Sequence, residues 1–243
     1  MCAINDMSGQ TRLLAIISGG TGYLGTAIIA ELKAAGWNVI SLSKNISKSS
    51  EDVYKCNVSN EKDVHAVISE IIAAHGTISA CIHAASPPLE RVPILSISPE
   101  SFNNSINTNV KGAFLLAKEM SKYMPKNSVF IGITTHAIEQ NVPLHPSGAY
   151  VPAKYALRGF LRVLSAETRQ TGLRVYAISP NFLPGGLNDD LPRNVQDFFA
   201  EKNGTGKDSP KEIAVLVKKL CTGETEFPPG SSIAFPSLTA SSL

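Results

Sequence analysis

Tyr150 and Lys154, in the segment Tyr-Val-Pro-Ala-Lys, stand four residues apart and so share one face of a helix. An ammonium held against a phenol favours the phenolate and lowers its pKa. A tyrosine tuned in this way can pass a proton to a carbonyl oxygen near neutral pH. The spacing alone is common on helix surfaces. Its place in the chain gives it weight, because the pair opens a helix that follows a strand ending in Thr134-Thr135. A second chemical signal lies near the start. Residues 13–17 form a short apolar run that leads into Gly19, Gly22 and Gly25, after which Leu24, Ile28, Leu32 and Ala35 recur at helical spacing. Strand, glycine-rich turn and helix together aim free N–H groups at a bound anion, typically a pyrophosphate.

The elements that must carry these groups alternate. Short apolar runs at 13–17, 39–42, 53–56, 79–83, 128–133, 173–178 and 231–235 predict about seven strands. Between them, helical patterns cover 23–35, 61–75 (capped by Ser59 or Asn60), 99–123, 150–171 and 210–220, with a short helix near 195–201. Such alternation predicts an α/β fold, a doubly wound parallel sheet covered by helices on both faces, in one domain spanning residues 1–243. Ligands of these sheets bind beyond the C-terminal strand ends. The positions to read are therefore the glycine turn, Ser43-Lys44, Asn57-Val58, residues 83–86, Thr134-Thr135 and residues 179–186. The polar, glycine-bearing stretch 183–208 is expected to wall or cover a substrate pocket.

A formal net charge of +2 over 243 residues argues against general nucleic-acid or membrane-surface binding. Cys2, Cys56, Cys81 and Cys221 lie far apart, with no metal-ligand spacing, and read as reduced residues of a cytoplasmic protein. The first ten residues show no signal-peptide pattern, and no apolar run is long enough to span a bilayer.

Taken in order, residues 18–25, Asn57-Val58, His83-Ala84-Ala85-Ser86, Asn109-Val110-Lys111-Gly112, Ile133-Thr134-Thr135, Tyr150…Lys154 and Ser179-Pro180 resemble the motif series of the short-chain dehydrogenase/reductases, over nearly the whole chain. The resemblance is to single-domain members with a Rossmann-like fold, the 3-oxoacyl-carrier-protein reductases among them. It implies that Tyr150 is the catalytic acid or base, and that Lys154 binds the nicotinamide ribose and lowers the Tyr150 pKa. Thr135 takes the place of the family serine on the substrate carbonyl, with Thr134 as the alternative. Asn109 matches the asparagine that holds a water linking Lys154 to solvent. The cofactor cradle it implies comprises Gly19, Thr21, Gly22, Tyr23 and Leu24 from the turn, Ser43 and Lys44 after the second strand, and Asn57 and Val58 after the third. Ala84, Ala85, Tyr150, Lys154, Pro180 and Leu183 complete it.

Some residues depart from the family pattern. The glycines are spaced three and three, as in extended and atypical members. Asn57 replaces an aspartate that touches adenine, and its carbonyl can still meet the adenine amino group. His83 begins a turn that is usually Asn-Asn-Ala-Gly, and is expected to bond backbone rather than take part in chemistry. Asn181 follows Pro180 where glycine is usual. No acid follows the second strand, where a carboxylate would select NAD, while Ser43 and Lys44 suit a 2′-phosphate, so NADP(H) is expected.

The resulting expectation is a homodimeric or homotetrameric NADPH-dependent reductase of a small carbonyl compound, with 3-oxoacyl thioesters on a carrier protein or CoA among the candidates. The helices at 99–123 and 150–171 would pair the subunits. A non-catalytic NADP-binding sensor or partner subunit is the alternative, and an epimerase or dehydratase a third.

Overall fold

In the computed structural model the described residues are 13–139, 146–202, 209–225, 227–235 and 239–242. Strand β1, Leu14–Ser18, is buried at every position, with Ala15 and Ile17 facing one layer of core and Leu14 and Ile16 the other. A run that is apolar on both sides forms where a parallel sheet is covered on both faces. Around β1 lie β2 (Asn38–Ser43), β3 (Val53–Lys55), β4 (Ala80–His83), β5 (Val129–Ile133), β6 (Arg174–Ser179) and β7 (Ser231–Ala234). The strand order is β3-β2-β1-β4-β5-β6-β7, all parallel. An eighth strand absent from the sequence expectation, β8 (Thr239–Ser242), runs antiparallel along β7.

Helices α1 (Tyr23–Ala34) and α7 (Pro210–Thr222) pack together on one face. Helices α2 (Glu61–His75), α3 (Pro99–Ile106), α4 (Gly112–Met120) and α5 (Tyr150–Glu167) complete the helical layers, with α6 (Arg193–Lys202) in the stretch after β6. The long helix expected over 99–123 is interrupted by a π turn at Asn107–Lys111 and ends in a 3₁₀ turn. Asn60 caps α2, its side chain accepting from the N–H groups of Lys62 and Asp63. By contrast α1 begins at Gly22 with no side-chain cap and no acid in its first turn.

After β1 the chain fills one side of the sheet with β2 and β3, then crosses to place β4 on the other side. This reversal is the switch point at which such sheets bind ligands. Register puts Ser18 beside both Leu42 and His83, so the segments that follow these three strands start at one level. Among the described residues no helix is long and apolar enough to cross a membrane.

Candidate active site

A cleft of about 570 Å³ opens beyond these strand ends, and residues of the glycine turn, all the strand-end segments named above and the wall at 180–188 line it. The glycine turn is tight. The Gly19 N–H donates to the Leu42 carbonyl at 2.9 Å, and the Gly22 N–H to the Gly19 carbonyl at 3.0 Å. Gly19 has φ +74°, and a Cβ there would lie 2.8 Å from the Ala85 nitrogen. A Cβ at Gly25 would run into the Gly19 carbonyl oxygen. Thr21 Oγ1 and Ser43 Oγ are hydrogen-bonded at 2.9 Å, tying the turn to the end of β2. Lys44 is exposed in the cleft wall beside them. Small residues thus leave a backbone-lined hollow at an uncapped helix N-terminus, and that hollow fits a dinucleotide pyrophosphate.

Tyr150, Lys154 and Thr135 meet where β5 ends. Lys154, buried on α5, donates to the Ile133 carbonyl at 2.8 Å, and its amine lies 5.4 Å from the centre of the Tyr150 ring. Burial pushes the Lys154 pKa down to about 7. The Tyr150 pKa is raised, with burial the dominant cause, while a hydrogen bond from Thr135 and the charge of Arg91 pull it back. Lys154 is not among the causes of the Tyr150 shift, so the expected lowering by Lys154 is corrected: the ammonium is bonded to a strand end, not to the phenol. The two threonines separate cleanly. Thr134 is buried, donates to the Ile178 carbonyl at 2.9 Å and contacts Ser179 Oγ at 2.7 Å, whereas Thr135 is only half-buried.

Behind this group, His83 Nε2 lies 3.0 Å from the Asn109 carbonyl and Nδ1 lies 2.7 Å from Ser18 Oγ. A carbonyl only accepts, so Nε2 carries the proton, and Ser18 donates to Nδ1. His83 is a neutral structural histidine whose pKa burial lowers to about 4, with the Lys154 charge a lesser cause. Asn109 Nδ2 donates to the Ser105 carbonyl at 3.0 Å. The two bonds shape the π turn, since side-chain groups insert into the helical ladder there. Asn109 is fully buried and does not itself line the cleft. Its backbone carbonyl is taken by His83, and its Oδ1 has no partner among the described residues. That side-chain oxygen is open to a water.

The His83 shift has a measurable consequence. Between about pH 6.5 and pH 4 the unfolded chain binds a proton at this site and the native chain does not, so native stability falls as pH falls through that window. The loss at pH 4 is at most about 3 kcal/mol. In His83→Asn this share of the acid destabilisation should vanish, which thermal unfolding of both proteins at pH 7, 5.5 and 4.5 would test. Parallel acid sensitivity in the two would contradict the assignment.

A family model described as enoyl-(acyl carrier protein) reductase matches residues 24–235. The chain belongs to the short-chain dehydrogenase/reductase family. It is 31% identical to the 2,5-dichloro-2,5-cyclohexadiene-1,4-diol dehydrogenase of Sphingobium indicum, over 95% of this chain and 97% of that one. It is 24% identical to the 3-oxoacyl-[acyl-carrier-protein] reductase of Rickettsia felis, over 94% and 95%. The aldohexose dehydrogenase of Thermoplasma acidophilum has the same fold, with a TM-score of 0.81 at 22% identity and 92% of each chain covered. The protein is thus an oxidoreductase of this family, which works with a nicotinamide cofactor, acts on small molecules and commonly forms oligomers.

Against that family frame, the expected cradle residues Gly19, Thr21, Gly22, Tyr23, Leu24, Ser43, Lys44, Asn57, Val58, Ala84, Ala85, Pro180 and Leu183 all line the cleft. One role is corrected. The Asn57 carbonyl, expected to meet adenine, instead accepts from Ser59 N at 3.2 Å and Ser59 Oγ at 2.8 Å, leaving its amide N–H groups. Of the stretch 183–208, residues 183 and 185–188 line the cleft, and 203–208 fall outside the described residues. Gly185 and Gly186 lie against the Tyr23 ring so closely that a Cβ on either would come within 2.8 Å of it or of Tyr23 Cβ. Among the lining residues that escaped the sequence reading, two carry basic side chains. His136 directly follows Thr135, so reading one residue further past β5 finds it. Arg91, a lone cation between Pro88 and Pro93, offers only its charge as a signal.

Proposed function

We propose that the protein is an NADPH-dependent carbonyl reductase. The observation that carries the reading is that Thr135, Tyr150 and Lys154 line one cleft whose other end is the glycine hollow. A reduced nicotinamide, when bound, supplies the hydride to the carbonyl carbon. Thr135 holds the carbonyl oxygen, and Tyr150 delivers the proton that this oxygen gains. The raised pKa of Tyr150 supports this direction, because the phenol keeps its proton at neutral pH. Lys154 would hold the ribose hydroxyls, and Ser43 and Lys44 the 2′-phosphate. No carboxylate stands at the end of β2 to repel that phosphate. The substrate is a ketone, with 3-oxoacyl thioesters one class to assay. The diol dehydrogenase relative favours a second reading, in which the same site oxidises an alcohol and Tyr150 accepts the proton.

The test begins with the cofactor. NADPH should bind at least about tenfold more tightly than NADH, the order expected for a charge-assisted phosphate contact. Lys44→Asp should flatten or reverse that ratio in a fluorescence titration. Tighter NADH binding by the wild type would defeat the assignment.

The reading includes a homodimer, doubled to a tetramer only if light scattering gives four chain masses. Phe102 on α3, Phe114 on α4, and Tyr155 and Val163 on α5 are exposed, and Phe114 packs edge-on against Phe160 at 6.4 Å. A single-chain mass at micromolar concentration would exclude pairing. A reducing, cytoplasmic setting belongs to the same proposal, supported by the free, buried thiols of Cys56, Cys81 and Cys221. Cys2 lies outside the described residues.

A further inference from the structure

Charge in the cleft is one-sided. Among the described residues that line it the charged ones are Lys44, Arg91 and Lys154, and no carboxylate joins them. Under the reductase reading the dinucleotide accounts for Lys44 and Lys154. Arg91 has no such role. It lies in the segment after β4 and faces the wall that follows β6. Its Nη2 donates to the Leu187 carbonyl at 3.0 Å and to Asn188 Oδ1 at 2.7 Å. Its links to Asp190, from Nε and Nη2, are both 3.3 Å long. Asp190 does not line the cleft and its side chain is 61% exposed, so this ion pair neutralises the guanidinium weakly. Nη1 makes no hydrogen bond among the described residues. The bonds on Nε and Nη2 fix the plane of the guanidinium and leave the Nη1 N–H groups to meet an oxyanion.

We propose that Arg91 is a specificity-determining residue, and that the carbonyl compound taken by this site carries a carboxylate that Arg91 binds. The inference rests on the reductase reading and narrows its substrate class to oxo acids in place of their neutral esters. The influence of Arg91 on the Tyr150 phenol is consistent with a carboxylate held close to the reacting carbonyl.

The experiment is a calorimetric titration of the NADP⁺-loaded protein with acetoacetate and 4-oxopentanoate, each beside its methyl ester. At least one acid should bind about tenfold or more tightly than its ester, the usual worth of a charge-assisted bond. Arg91→Gln, which keeps a donor for Leu187 and Asn188, should erase that difference. Asp190→Asn, which removes the outer counter-charge, should preserve or widen it. Equal binding of acid and ester, or no binding of either acid at millimolar concentration, would overturn the proposal. So would an Arg91→Gln that weakens acid and ester alike, since Arg91 would then only fasten the wall. NADPH oxidation separates this inference from the reading beneath it. Reduction of esters but not acids removes the anion site and leaves the reductase. Selective acid binding without turnover of any ketone removes the reductase and leaves the anion site.

Discussion

Tyr150→Phe should lower the turnover of a confirmed ketone by on the order of a hundredfold or more and leave NADPH binding nearly unchanged, because a positioned acid contributes that much. The substitution keeps the ring and its packing beside Lys154 and removes only the hydroxyl. Thr135→Val, close to isosteric, should also cut turnover with little effect on the cofactor, whereas Thr135→Ser should be mild. Lys154→Ala should impair both binding and turnover, because it removes a group bonded to the end of β5 as well as the proposed ribose contact. Single-turnover kinetics alongside NADPH titration separate these outcomes. Wild-type turnover in Tyr150→Phe would remove it as the acid. A protein that binds NADPH but never reduces any ketone would instead be a sensor or partner subunit.

The second large effect is expected at the other end of the cleft. Gly25→Ala places a methyl group against the Gly19 carbonyl oxygen and 2.6 Å from Gly20 Cα. Both neighbours are backbone, so no side chain can turn aside, and relief requires opening the turn itself. Overpacking of this kind costs about 1–3 kcal/mol, equivalent to roughly ten- to a hundredfold in dinucleotide affinity if the turn yields. The measurement is NADPH affinity with thermal unfolding beside it. Affinity and melting temperature both equal to wild type would mean that the turn is looser than its geometry indicates.

The seven parallel strands were legible because each is a short apolar run with glycine, proline or polar punctuation, a pattern that needs no partner to be seen. Strand β8 was not, since Thr-Ala-Ser-Ser has no apolar period and joins the sheet through backbone pairing with β7. The break in the long helix escaped for a tertiary reason: the histidine that takes the Asn109 carbonyl lies on β4, 26 residues earlier. At the site, the tyrosine, lysine and threonines were readable from their order along the chain, but which threonine hydroxyl is tied up depends on the neighbouring end of β6. Arg91 was invisible for the same reason, as its fixing partner Asn188 is 97 residues away. The Asn57 carbonyl is different. Its capture by Ser59 is a two-residue side-chain turn of a kind that sequence does signal.

The contact between Tyr23 and the Gly185-Gly186 pair bears on how this scaffold could be diversified. One ring belongs to the first helical turn beyond the phosphate hollow and also serves as the seat on which the substrate wall rests. A library that randomises residues 187–202 can reshape the pocket while that seat stays intact. One that includes positions 185 and 186 would lift the wall and disturb the nucleotide end together, so variants chosen for a new substrate would lose grip on the dinucleotide. Selection for altered scope therefore has a natural boundary at this glycine pair.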